Sequence, residues 1–419
     1  MRQKALIIIF LTYLFSVFSS YAYKSNPDIK FDRYSINKGL SHLGVSSFYQ
    51  DNNGFLWIGT YDGLNRFDGM SFKVFKHVPD DSTTLINNRI RCVFEHSSGK
   101  LMIGTEGGIC IYNPKVETFQ KYSFEFGNYS SIVSKIFEDS KKRVWILTPK
   151  NAFCVVDINK NDFKSILFTS NNNSTIVFND IIEDKHGYIW LASSNGLICY
   201  NSDLRRVNHK MQSKLASSNI RCIELDTQNN LWLSSGSVVS RFALNYKETS
   251  IEVLQNYSFS IKSYTNSILV DTKGNVWIGS SNEGVFRISI DDINEEINKE
   301  KIENYVNQAL NPKSIGSNSI TEIYEDNYGN IWIGTGYGIN KLASDKNHFL
   351  NVSQYSESNT NLNSILSLFQ YNDEKIICGS RNGFSVYNIN TEQIEKPWFD
   401  DSKINIEDNI VHSILKDWN

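Results

Sequence analysis

The stretch Asp51-Asn52-Asn53-Gly54-Phe55-Leu56-Trp57-Ile58-Gly59-Thr60, followed by Tyr61-Asp62-Gly63-Leu64, decides the fold. Near-copies begin at Asp184, Asp271 and Asp326, carrying Gly187 and Trp190, Gly274 and Trp277, Gly329 and Trp332. Further units begin at His96, Asp139, Asp226 and Tyr371, and a last one at Asp417. Successive starts lie 42–46 residues apart, except for the 55 residues from Asp271 to Asp326. A period near 40–45 residues, with a Trp and several Gly in each unit, is that of a four-stranded propeller blade.

One unit reads as four strands. Val45 to Gln50 is the first, ended by the Asp51-Asn52-Asn53-Gly54 turn, where Asn and Asp bond their own backbone and Gly supplies positive φ. Leu56 to Thr60 is the second, Leu64 to Asp68 the third and Phe72 to Phe75 the fourth. Leu56-Trp57-Ile58 and Val144-Trp145-Ile146-Leu147 are apolar on both faces, as a sheet packed between two neighbours requires. A Trp repeated in one register is core rather than a ligand platform; Met102 and Ile377 replace it in the second and eighth units.

Phe31-Asp32-Arg33-Tyr34-Ser35 resembles a fourth strand without its blade, which suggests ring closure by pairing with the last blade. The predicted architecture is all-β: a propeller of four-stranded antiparallel blades, seven-bladed over residues 28–350, with the first blade or blades of a second, truncated propeller over 351–419. One eight-bladed ring is the alternative. The insertion Asp291 to Asn311 reads as a solvated, charged excursion with a short helix over Glu295 to Glu303.

Arg2 and Lys4, the apolar run Ala5 to Val17 and the Ser20-Tyr21-Ala22 site read as a secretory signal over residues 1–22. No later run approaches membrane-spanning length, so the mature chain is expected to be soluble and exported. Six cysteines invite a disulfide count, but Cys92 and Cys222 occupy one place in two repeats, and Cys110 and Cys154 another, with Cys199 one residue along. Equivalent places on different blades are too far apart to bridge, so these read as small buried hydrophobes. With 42 Lys and Arg against 45 Asp and Glu there is no basic excess to suggest nucleic acid.

The consensus of an aliphatic first strand, Asp-x-x-Gly-x-x-Trp-Ile-Gly-Thr, a short turn and Gly-Leu closely resembles the two-component regulator propeller repeat. The opening Phe31-Asp32-Arg33-Tyr34-Ser35-Ile36-Asn37-Lys38-Gly39-Leu40 is similar to the mature N-terminus of such sensors. The resemblance implies the periplasmic part of a hybrid two-component sensor that controls polysaccharide-utilisation genes. In that family two seven-bladed propellers precede an immunoglobulin-like domain, a membrane helix, a histidine kinase, a receiver and a DNA-binding module. None of those later parts can be pointed to here, so this chain would meet the membrane only through segments it lacks.

The Asp-x-x-Gly turns repeat and therefore read as structural. The opposite face varies, and loops on a rigid scaffold commonly carry binding groups. Its candidate ligand residues are Tyr61, Asp62, Arg89, Glu106, Asn195, Asn282, Glu283, Tyr337 and Arg381, on a face that also carries the turns Pro149-Lys150 and Ser235-Gly236 and the crossover residues Asn88, Asn219, Asn266 and Asn318. Rings stack on sugar faces while amides and carboxylates accept hydroxyls, so the expected ligand is an oligosaccharide. The third residue of the first strand runs Ser47, Cys92, Lys135, Asp180, Cys222, Ser267, Glu322 and Ser367. Lys135, Asp180 and Glu322 there either line an axial channel for ligand or pair with one another. No cofactor or metal is expected, because the seven His lack ligand spacing.

Catalysis is the alternative of a different class. Asp62, Glu106 and Glu283 could form an acid–base pair, as in glycosidases and lyases, if two stood about 5–9.5 Å apart. A protein-interaction scaffold, working as a homodimer, is the third reading.

Overall fold

The computed structural model describes residues 29–122, 132–149, 152–157, 162–166, 176–210, 218–247, 250–293, 299–344, 365–372, 374–380, 383–391, 393–395 and 410–415. The signal segment 1–22, Arg381 and the unit opening at Asp417 lie outside them. The chain divides into two compact units, residues 1–344 and 345–419.

In the first unit the described strands form seven antiparallel groups of four, and the fourth and fifth join into one eight-stranded sheet through a parallel pairing of Arg206–Lys210 with Ser250–Ser260. Their first strands are Val45–Gln50, Ile90–Glu95, Lys135–Glu138, Phe178–Glu183, Ile220–Leu225, Thr265–Val270 and Ile320–Glu325, and these pack beside one another around the centre. The seventh group takes its fourth strand from the N-terminus: Asp32–Tyr34 pairs with Gly338–Leu342 in the register Asp32 to Lys341 and Tyr34 to Ile339. The ring is thus closed by chain ends that are distant in sequence, leaving no open inner edge.

Three side-chain devices explain the repeated motif. Asp51 Oδ1 accepts from the backbone N–H groups of Asn53 and Phe55, and its Oδ2 from Trp57 Nε1 at 2.7 Å. The same indole-to-carboxylate bond recurs at Trp145, Trp190, Trp232, Trp277 and Trp332, at 2.7–3.3 Å. The Trp is buried and would otherwise leave its N–H unsatisfied, which is costly in a core. Where Asp becomes His96 or Tyr371, the Trp becomes Met102 or Ile377, so donor and acceptor disappear together. The Thr or Ser ending the second strand closes the next turn: Thr60 Oγ1 donates to Gly63 O at 2.8 Å and accepts from Asp62 N. Gly59 is required because a Cβ there would lie 2.4 Å from Ser47 Oγ and 2.7 Å from Ile90 of the next blade.

The hydrophobic clusters lie between blades, one joining each neighbour to the next. Trp57, Leu64 and Phe75 pack on Ile90, Val93 and Ile103, while Val45, Phe48 and Ile58 pack on Trp332 and Ile339 across the closure. Five of the seven seams also carry a polar latch from the end of one inner strand to the neighbouring Asp-x-x-Gly turn. Glu95 accepts the amide of Asn52, Glu138 that of Ser97, Glu183 that of Ser140 and Glu325 that of Thr272. Gln50 accepts the amide of Asn327 at 2.7 Å and so closes the ring with the same device.

The structure corrects two readings of the sequence. The insertion after Asp291 is not wholly a solvated excursion, and residues 295–298 of the helix expected there lie outside the described residues. Its described parts are two 3-10 turns, Ile290–Asp292 and Lys299–Lys301, and the outer strand Glu303–Tyr305, with Ile290, Ile293 and Ile302 buried in the core. The second concerns cysteine register: Cys154 and Cys199 share a place, opposite Trp145 and Trp190, and Cys110 is offset, opposite Ile103. The other blades set Arg66, Arg241, Arg287 or Lys341 at the place opposite the Trp, with the cation 5.1–5.9 Å from the indole.

The second unit contains one four-stranded group, beginning with Ile365–Gln370. Val411 N donates to Ser380 O at 2.9 Å, and Val411 packs where a Cβ on Gly379 would lie, as Val133 does against Thr105 and Gly104 in the ring.

Candidate functional site

Two faces of the ring differ in chemistry. On the Asp-x-x-Gly face, the repeated carboxylates are engaged by their own turns and latches. On the other face, the two-residue turns between second and third strands, and the crossovers between blades, project side chains that the repeat does not prescribe.

The structure brings some predicted residues together there. Arg89 lies over the ring of Tyr61 at 4.9 Å, and its Nε is 3.3 Å from Glu106. Arg91 also binds Glu106, so one carboxylate sits between two guanidinium groups. Asp62 pairs with Lys76 at 2.5 Å, and both are well exposed. Asn195, Asn282 and Tyr337 are exposed on other blades. Glu283 is differently engaged: its Oε2 accepts the amides of Lys262 and Ser263 at 2.7 and 2.8 Å, which fixes the crossover.

At the axis, Lys135 Nζ stands 3.0 Å from Asp180 Oδ1. Asp180 Oδ2 also accepts the amide of Ile223 on the next blade at 3.1 Å. Glu322 and Glu224 complete the group, so one cation faces three carboxylates contributed by blades three, four, five and seven. Burial within the narrow channel pushes Glu224 and Glu322 up to about 7, and the attraction of Asp180 raises Lys135 well above the ordinary lysine range. Each of the four keeps partial access to water, as lining a channel demands. Among the described residues no three His, Cys, Asp or Glu converge as metal ligands.

Every described first strand except that of blade three has a bulge at its second residue, where Ser46, Arg91, Asn179, Arg221, Asn266 and Thr321 stand in the ring. Ser46, Asn179 and Asn266 use this to donate to the first carbonyl of the next blade's inner strand, Ile90, Ile220 or Ile320. Arg91 instead binds Glu106, and Arg221 is exposed. A concave site of about 550 Å³ opens beside Arg221, lined by Ser218, Asn219, Ser235, Gly236 and Tyr264. Tyr264 is 62% exposed, so one part of its ring is free to meet a ligand. Sequence reasoning reached Asn219 and Ser235-Gly236 but missed Arg221 and Tyr264. The available signal was the polar second position of the first strand, visible once the third was aligned.

The fold defines a β-propeller. The model of the family described as Two component regulator propeller matches residues 39–62 and 314–337, two copies of the repeated turn-and-strand unit. Over 77 residues, 18% of this chain and 6% of the relative, it is 39% identical to Histidine kinase P4 of Formosa agariphila. Two solved extracellular domains of putative hybrid two component systems from B. thetaiotaomicron are similar, at 22% and 21% identity with TM-scores of 0.62 and 0.61. Each match covers 93% of this chain, and 51% or 50% of the solved domain, so this chain spans about half their length. A virginiamycin B lyase from Staphylococcus aureus shares the fold at 14% identity and TM-score 0.56, over 76% of this chain and all of the lyase. Among the described residues no helix is long and apolar enough to cross a membrane.

Proposed function

We propose that this chain is an exported, periplasmic ligand-sensing propeller of a hybrid two-component sensor, recognising an oligosaccharide and so governing polysaccharide-utilisation genes. The observation that carries the reading is the concave polar site between the fifth and sixth blades, where an exposed tyrosine meets amide and hydroxyl groups on loops held by a rigid ring. Sugar recognition needs that combination, since pyranose faces are apolar and their edges are hydroxyls. Phosphotransfer and DNA binding belong, on this reading, to other parts of a longer protein. The second unit is the first blade of a second propeller, because Val411 seats against Gly379 as a following inner strand would.

Calorimetry of the full chain against a glycan panel tests this. Binding of one oligosaccharide class without cleavage is the expected result. Release of shorter products would favour a carbohydrate-active enzyme. Silence across the panel, with a stable dimer in light scattering, would favour a protein-interaction scaffold.

A further inference from the structure

One guanidinium of this face has no counter-charge among the described residues. Arg91, in the bulge of the second blade's inner strand, shares Glu106 with Arg89. Arg221 occupies the same place in the fifth blade, is exposed, and pairs with no carboxylate among the described residues. It lines the concave site of about 550 Å³ together with Tyr264 and Asn219.

The surroundings hold these groups in place. The Tyr264 ring rests beside Gly236, with a ring carbon 3.8 Å from where a Cβ would lie and φ of +63° at the glycine. Its backbone is fixed by Ser281 N donating to Tyr264 O at 2.8 Å, and by Thr265 N donating to Gly236 O at 3.1 Å. Asn219 Oδ1 accepts from Asn179 at 3.0 Å, which leaves its amide N–H groups for a ligand. A planar guanidinium fork beside an aromatic ring matches a pyranose bearing a charged oxyanion: the fork takes two oxygens, and the ring takes the apolar sugar face.

We infer that this site between the fifth and sixth blades recognises an anionic sugar residue, with Arg221 holding its carboxylate or sulfate ester and Tyr264 stacking on its ring. The inference rests on the oligosaccharide reading and narrows it to acidic glycans.

The test is calorimetry on the full chain with matched pairs: oligogalacturonate against its neutral methyl ester, and a sulfated galacto-oligosaccharide against its desulfated form. One anionic probe should bind at least about tenfold more tightly than its neutral partner, the scale expected for hydrogen bonds to a charged group. Which pair discriminates separates carboxylate from sulfate. The preference should shrink as salt is raised. Arg221→Gln should abolish the preference with an unchanged melting temperature, because Arg221 is exposed and supports no other group among the described residues, and Tyr264→Ala should weaken both members of the pair. Equal binding of charged and neutral partners, or an Arg221→Gln variant that keeps the preference, would overturn the inference while leaving oligosaccharide sensing intact. No binding of any probe would overturn both.

Discussion

The inner strands Val45–Gln50 and Ile365–Gln370 have nearly the same pattern and opposite fates. Val45 and Phe48 are 0% and 6% exposed, whereas Ile365 and Leu368, at the same places, are 42% and 67% exposed. Both strands pair with a second strand through the same bulge, between Val45 and Ser47 in one and between Ile365 and Ser367 in the other. What differs is the neighbour. Phe48 meets Trp332 and Ile339 of the preceding blade, and no described group of the second unit offers Leu368 such a partner. A blade's own sequence therefore forms the sheet, but the burial that stabilises it comes from the seam.

Equivalent substitutions in the two strands put this to the test. Phe48→Ala should lower the stability of the first unit by about 3–5 kcal/mol, the usual cost of emptying a buried aromatic site. Leu368→Ala should change stability by no more than about 0.5 kcal/mol, as at other exposed positions. Denaturant unfolding of the two variants reads both, and an equal cost would mean that the Leu368 face is covered in solution.

The turn devices sharpen the same contrast. Asp326→Ala should cost about 2–3 kcal/mol, because it orphans Trp332 Nε1 and the backbone N–H groups of Tyr328 and Asn330. Tyr371→Ala, at the matching place where no Trp needs an acceptor, should cost less than about 1 kcal/mol. A comparable loss in both would show that the motif stabilises by something other than satisfying the indole.

A third contrast concerns the axis, which exists only where blades surround it. Lys135→Met leaves Asp180, Glu224 and Glu322 facing one another, and should cost about 2 kcal/mol at pH 8, discounted from a fully buried pair because Lys135 keeps access to water. The loss should shrink as the pH falls below about 6 and Glu224 and Glu322 take up protons. The sign follows from linkage. Both carboxyls are raised from 4.5 to about 7 in the fold, so the native state binds more protons between those values and stability falls as pH rises through them. Glu224→Gln or Glu322→Gln should flatten that fall in melting temperature, and an unchanged slope would refute the shared channel. Ser367 holds the corresponding place in the second unit, and Ser367→Ala should give no pH dependence.

The smallest effect belongs to the closing latch. Gln50→Ala removes the acceptor of Asn327 N and a bond to Gly54 O, for about 1 kcal/mol in the first unit. Gln370→Ala should be silent.

Much of this architecture was legible in advance because a repeat states its own boundaries. The strand Val45–Gln50, the strand Leu56–Thr60 and the spare N-terminal strand follow from turn chemistry and period alone. The insertion misled because charge dominates its composition, while Ile290, Ile293 and Ile302 return it to the core at a spacing no simple period reveals. The predicted ligand groups were named as members of one face, yet the repeat hides which are already engaged. Glu283 is held by two backbone amides and Glu106 by two arginines, partners that lie 15 or more residues away.

The sequence by itself determined the blade, its turns and the role of its Asp, Trp and Thr, since those bonds close within a few residues. Only the tertiary structure decided which charges meet across the axis, which strands are covered and which cation lacks a carboxylate among the described residues. Those outcomes depend on contacts between blades that the chain reaches by going round the ring. Local pattern cannot encode the partner of Lys135 or the surroundings of Arg221, because each is set by what the neighbouring blades place beside it.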